Sequence, residues 1–168
     1  MSNQSTHIFK IDRTIVSLLF GLGFVFLIGC GPTSIYNNSI TLSEGYWEES
    51  TPLLNVFEIS DTTQYYDLYL DIEHSTEYAY ENVYVQIETE FPHKEGVTQV
   101  LPIDFADKTG KWYGKCGSKT CMLRVVLKER TRFEAIGKYT LKVKQYSRVS
   151  NLEGINGLDF SIVESVEK

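Results

Sequence analysis

The sequence predicts an all-β chain, an antiparallel β-sandwich of about 7–8 strands preceded by a cleaved lipoprotein signal peptide. Three observations carry the prediction. Beyond Trp47 the dominant hydrophobic period is two. Stretches rich in Gly, Asp and Asn punctuate the chain at the spacing of short strands. Outside the first 29 residues, no window of about a dozen residues places apolar side chains at i, i+3, i+4 and i+7, the signature of an amphipathic helix.

The first element is the leader. After the basic residues Lys10 and Arg13 comes an apolar run that includes Ile15, Leu18, Leu19, Phe20, Phe24 and Phe26, and it closes on Leu27-Ile28-Gly29-Cys30. A basic start, an apolar middle and a small residue at the cut form an export signal. The Cys directly after the cut makes it a lipobox, because a diacylglyceryl group needs a thiol there. As a transmembrane anchor the run is short: residues 14–29 as helix span about 24 Å, against a hydrocarbon core of ~30 Å. Cys30 is therefore expected to be the lipidated first residue of the mature protein. Buried acyl carbon is worth ~0.8 kcal/mol per CH₂, so the two or three chains of a bacterial lipoprotein, palmitate among them, hold it durably at the membrane.

Residues 30–45, rich in Pro, Ser, Thr and Asn, are expected to be a tether, with the sandwich domain occupying 46–168. Within that domain, Tyr66, Leu68, Leu70 and Ile72 alternate with Tyr65, Asp67, Tyr69, Asp71 and Glu73. That is a half-buried strand. Val83, Val85 and Ile87 repeat the pattern before Phe91-Pro92, and the two segments read as adjacent antiparallel strands joined through His74 to Asn82. Residues 53–59, 97–105, 121–128, 138–146 and 158–164 complete the strand set. Gly137-Lys138-Tyr139, entering one of them, is similar to the tyrosine corner of Greek-key sandwiches.

Composition narrows the function. The chain carries a formal charge of −6; the leader holds two basic residues (Lys10, Arg13) and one acidic (Asp12), so the remainder carries −7. Such a surface excludes a nucleic-acid binder and leaves acyl chains as the membrane contact. All 11 tyrosines lie beyond Cys30, with Tyr65, Tyr66 and Tyr69 in one cluster and Tyr78, Tyr80 and Tyr84 in another. Tyrosine suits strand faces and recognition surfaces alike.

Cys116 and Cys121 are the remaining cysteines, and in an oxidising compartment they can close a disulfide between strands. A loop so small is worth about 2 kcal/mol at most. A Cys-x₄-Cys pair without a second pair falls short of a zinc site, and the mature chain has only His74 and His93 to add. No catalytic residue, metal site or cofactor is expected. Neither histidine sits in a nucleophile elbow or triad context. Asp67 and Asp71 would lie about 13 Å apart along one strand, beyond the reach of a glycosidase pair. Outward acids of this kind are ordinarily solvated.

The order of segments resembles the gliding-motility lipoprotein family of Bacteroidota, specifically its H member (GldH). Trp47, Phe57, the run from Tyr66 to His74, Tyr78 and Glu81-Asn82-Val83-Tyr84-Val85 follow the lipobox in that family's order. Asp107-Lys108-Thr109-Gly110-Lys111-Trp112-Tyr113-Gly114 is similar to its D-x-x-G-x-W-x-G turn, and Gly137-Lys138-Tyr139 and the segment from Leu152 to Asp159 close the match. Cys116, Cys121 and Glu73 depart from the pattern. The resemblance implies a non-enzymatic lipoprotein accessory to gliding motility and the associated type IX secretion machinery. Its partners would be the membrane, through lipid on Cys30, and envelope proteins of that machinery. The address would be the periplasmic face of the outer membrane, consistent with Gly31 in place of a retaining Asp and with no acidic residue from Gly31 to Leu42. The alternative is a carbohydrate-binding cell-envelope lipoprotein. A flat platform built from Trp47, Trp112, Tyr65 and Tyr69 would favour sugar, and a mixed aromatic and acidic patch would favour protein.

Overall fold

The computed structural model describes residues 33–166, and every regular element among them is a strand. The leader and Cys30 lie outside the described residues. Eleven strands form three antiparallel sheets. The five-stranded sheet runs β1 (Ser34–Thr41), β11 (Ile155–Glu164), β4 (Tyr66–Ser75), β8 (Thr120–Thr131), β7 (Lys115–Cys116). The four-stranded sheet runs β3 (Leu53–Ile59), β9 (Gly137–Gln145), β5 (Asn82–Glu90), β6 (Val97–Asp104). A short ribbon pairs β2 (Tyr46–Glu48) with β10 (Asn151–Glu153).

Alternation explains the core. On β4 the side chains of Tyr66, Leu68, Leu70, Ile72 and His74 are buried in turn, and on β3 so are Leu53, Asn55, Phe57 and Ile59. Those inner faces meet Phe160 and Ile162 of β11, Val83, Val85 and Ile87 of β5, and Tyr139, Leu141 and Val143 of β9 in one cluster. At ~25 cal/mol per Å² of apolar surface, this burial is the main term holding the sheets face to face. The Tyr139 hydroxyl donates to the Ala135 carbonyl at 2.8 Å, the backbone bond of a tyrosine corner.

Three expectations are corrected. All seven expected strands form, but four more join them. The largest of these, β1, occupies half of the segment expected to be a tether. Its register against β11 runs from Ser34 opposite Val163 to Thr41 opposite Gly157, so the ladder's backbone bonds order a polar segment. It also seals the adjoining edge: Asn38 Nδ2 donates to the Leu54 carbonyl at 3.0 Å, and the Val56 N–H donates to the Tyr36 hydroxyl at 3.2 Å, both on β3. Finally, β4 and β5 are not neighbours. The link from Thr76 to Glu81 carries the chain from one sheet to the other, because each strand has its apolar face turned to the same interior.

The registers define two ends. At the entry end stand Thr33, the loops 60–65, 91–96 and 132–136, and the finish of β11. The far end holds the links 42–52, 76–81, 105–119 and 146–150.

Candidate functional site

The far end carries a groove of about 780 Å³ between the β4–β5 link and the β9–β10 loop. Val83, Leu152 and Tyr78 form its floor, and Tyr80, Tyr84, Tyr146, Arg148 and Val149 its walls. Pairing of β5 with β9 makes it. Val85 stands opposite Gln145, so Tyr84 and Tyr146, far apart in sequence, become neighbours, and the Tyr146 N–H donates to the Tyr84 carbonyl at 2.8 Å. Tyr80, Tyr84 and Tyr146 are 52%, 46% and 56% exposed.

The loop carrying Tyr146, Arg148 and Val149 is held from below. Gln145 is buried, and its side-chain amide donates to the carbonyls of Val149 (2.8 Å) and Ser150 (3.2 Å), while its oxygen accepts from the Ser147 N–H at 2.8 Å. A buried amide with its partners satisfied holds a loop in one conformation. On the other wall Tyr78 stacks edge-on against Tyr80, with centroids 5.6 Å apart. Burial pushes the Tyr78 hydroxyl well above the ordinary tyrosine range, so it stays a neutral donor, aimed at the Asn82 carbonyl at 3.4 Å. The groove thus presents tyrosine rings and one guanidinium on a rigid floor. Tyr and Arg on a preorganised surface are the commonest anchors of protein contacts.

The aromatic residues nominated from sequence do not assemble into a platform. Trp47 is completely buried, its Nε1 donating to the Thr51 carbonyl at 2.8 Å. Trp112 is half-buried and lies edge-on to His74 at 4.9 Å. Tyr65 and Tyr69 are half-buried under guanidinium groups, Arg132 at 4.1 Å from the first ring and Arg124 at 4.9 Å from the second.

The outward acids hold structure, which corrects the solvated reading. Asp71 receives both arms of Arg124 at 2.8 and 2.6 Å. Asp67 accepts from the Arg130 N–H at 2.7 Å and from Ser165 at 2.6 Å. Burial alone would raise the Asp67 pKa, but these bonds hold it below the usual carboxylate range. Asp159 stands opposite Asp71 across the ladder, and burial, with that neighbour adding to it, pushes its carboxyl up.

The D-x-x-G-x-W-x-G segment has a structural logic. Asp107 accepts from the Thr109 and Lys111 N–H groups at 2.8 and 3.1 Å, Gly110 turns the chain at φ +79°, and Trp112 is set down over His74. At Gly114, also at φ +79°, a Cβ would stand 2.3 Å from the Met122 carbonyl oxygen. Only glycine fits there. His74 is buried between Phe105 at 4.5 Å and Tyr78 at 5.9 Å; its Nδ1 contacts the Ser75 carbonyl at 2.9 Å, and its Nε2 has no partner among the described residues. Burial holds it neutral by lowering its pKa. Cys116 and Cys121 face each other in register and are joined, with sulfurs 2.01 Å apart, clamping β7 onto β8. No three His, Cys, Asp or Glu side chains among the described residues converge as metal ligands.

Comparison with known proteins gives the chain its family. It is 28% identical over 155 residues to a protein of Christiangramia forsetii named gliding motility lipoprotein GldH homolog, a match covering 84% of this chain and 93% of that one. No solved structure matches. The family model for GldH lipoprotein matches residues 34–162, from the first residue of β1 to near the end of β11. The chain belongs to the GldH lipoprotein family, whose members are lipoproteins linked to gliding motility.

Proposed function

We propose that this chain is a non-enzymatic accessory lipoprotein, held by lipid on Cys30 to the periplasmic face of the outer membrane. Its far-end tyrosine groove docks on an envelope protein of the gliding and associated type IX secretion machinery. The observation that carries this reading is the groove's position. It gathers exposed tyrosines and Arg148 at the end of the sandwich opposite Thr33, the first described residue. A lipid-held domain meets other envelope proteins at high effective concentration, so modest affinity suffices. The sugar reading loses its basis, because Trp47 and Trp112 are spent on packing and Tyr65 and Tyr69 lie under arginines.

The test is complementation of a deletion strain. The chain with Tyr84→Ala and Tyr146→Ala is expected to accumulate normally, yet fail to restore colony spreading and crosslinking to motility components. Hot-spot tyrosines cost roughly 2 kcal/mol or more in binding when truncated, about thirtyfold in affinity. Normal spreading by that variant would overturn the groove as docking site. Cys30→Ser is expected to leave an unprocessed precursor without acyl label, and equal label in variant and parent would overturn the anchor.

A further inference from the structure

The entry end holds a second cavity, unrelated in place and lining to the tyrosine groove. It is a cleft of about 350 Å³ between the two sheets, at the edge formed by β6 and β8. The opposite edge is sealed by the Asn38 and Tyr36 bonds to β3, whereas here the sheets part over the core. A register shift in β4 and β8 around Leu68 opposite Lys128, with Arg130 at φ +47°, marks the place. Bulges bend a strand and raise its twist, and this one lies on β8 at the lining of the cleft.

Buried Phe57, Leu68 and Ile87 form the floor, and half-buried Phe91, Leu127 and Phe133 the walls. Its mouth is cationic. Lys94, Lys128 and Arg132 line it against a single acid, Glu134. Glu134 is taken by Lys94 at 2.6 Å across the mouth, and among the described residues neither Lys128 nor Arg132 has a carboxylate partner. A local excess of positive charge on a chain of net charge −6 selects an anionic group. An apolar floor with Phe91, Leu127 and Phe133 on the walls suits a hydrocarbon, Thr89, Gln99 and Thr131 being the small or uncharged polar residues of the lining, and the volume lies within the ~300–1,000 Å³ usual for small-molecule sites.

We propose that this cleft binds a long acyl chain bearing an anionic head, the chain entering between the sheets and the head resting on Lys128 and Arg132. The Lys94–Glu134 pair spans the opening between the 91–96 and 132–136 loops and closes over the bound chain. The proposal is independent of the docking groove, which lies at the other end and has its own test.

The probe is palmitic acid carrying a diazirine on its chain, added to chilled membranes containing the full chain, photolysed and mapped by mass spectrometry. Crosslinks are expected in residues 91–97 and 127–133, displaced by unlabelled palmitate and at least about fivefold less well by hexadecanol, which lacks the anionic head. Leu127→Trp fills the cleft and is expected to cut labelling about tenfold. Lys128→Glu, at an exposed position that leaves folding intact, is expected to cut it about fivefold and carries the test if the tryptophan variant does not fold. Label confined to other segments, or kept in full by both variants, overturns the proposal. So does an unlabelled cleft, the result expected if an apolar peptide segment fills it instead.

Discussion

At the far end of the sandwich the loops are tied to one another by backbone bonds, whereas at the entry end the two loops flanking the cleft are joined to each other by one exposed ion pair. Gly154 N–H donates to Gly45, Glu49 to Ser150, Thr76 to Lys119, and Phe105 to Glu81, all backbone bonds between separate far-end segments. At the entry end Tyr139 reaches Ala135, four residues away, and the Lys94–Glu134 ion pair joins the 132–136 loop to the 91–96 loop. An exposed ion pair contributes about 0–1 kcal/mol and each backbone bond a net ~0.5–1.5 kcal/mol, so the four far-end bonds together outweigh the one ion pair. The difference teaches where rigidity is needed. The groove presents a preformed surface, and the cleft has a mouth that one ion pair spans.

The largest expected break in this comparison is Gly114→Val. A side chain at φ +79° facing the Met122 carbonyl should lower stability by about 3 kcal/mol, read by urea unfolding, and free the turn that seats Trp112. Stability unchanged from the parent would show that the far-end turn does not depend on the close approach. Next comes Gln145→Leu, which strands the Val149 and Ser150 carbonyls and the Ser147 N–H at a cost of about 2 kcal/mol. It should also abolish crosslinking through the groove, whereas diazirine-palmitate labelling at the entry end persists. Loss of both signals would mean the ends are coupled.

Cys121→Ser is expected to cost no more than about 2 kcal/mol, because the bridge closes a short loop on one pair of strands. Thiol counting on denatured protein never exposed to reductant should find neither Cys116 nor Cys121 reactive, and two reactive thiols would contradict the bridge.

The smallest effects separate the ends by pH. His74, at the far end, has its pKa lowered from 6.5 by burial, so the unfolded chain takes up a proton first and stability falls as pH drops below about 6.5. Glu88, on the outer face towards the entry end, is pulled down from 4.5 to about 2 by Lys144 and Lys142. Its contribution is present in full above pH 4.5 and is lost as pH falls towards 2. Discounted for solvent, it is worth about 1 kcal/mol. Glu88→Gln should make the slope between pH 4.5 and 2 shallower, Asp67 supplying part of what remains, and leave the one beginning near 6.5, while His74→Phe should remove the one beginning near 6.5 and leave the acid slope. A profile unchanged by either variant would refute the assignment.

Much of this fold was legible in the chain. The seven strands found by period correspond to β3, β4, β5, β6, β8, β9 and β11, because alternation is imposed wherever one face meets a core. The other four carry too little of that imprint. β1 reads Ser-Ile-Tyr-Asn-Asn-Ser-Ile-Thr, an edge strand in which Asn38 interrupts the inward row of Tyr36 and Ile40, and β2, β7 and β10 have two or three residues each, too few for a period. Of the groove, the Tyr78, Tyr80 and Tyr84 cluster was visible. Tyr146 and Gln145 were not, because they reach it only through the β5–β9 ladder.

By itself, then, the sequence determined the leader pattern ending at Cys30, the all-β class, the buried face of each long strand and the family. Each of these depends on neighbours within a few residues or on segment order, and local physics or family likeness is enough to read them. Tertiary structure alone decided that β4 and β5 part into separate sheets, that Asp71 faces Asp159, that Trp47 and Trp112 serve packing, and that the exposed tyrosines gather at the far end. Alternation says which side of a strand must leave water, but not which strand will lie beside it. That choice belongs to the closing of the whole core, where distant residues compete for the same interior.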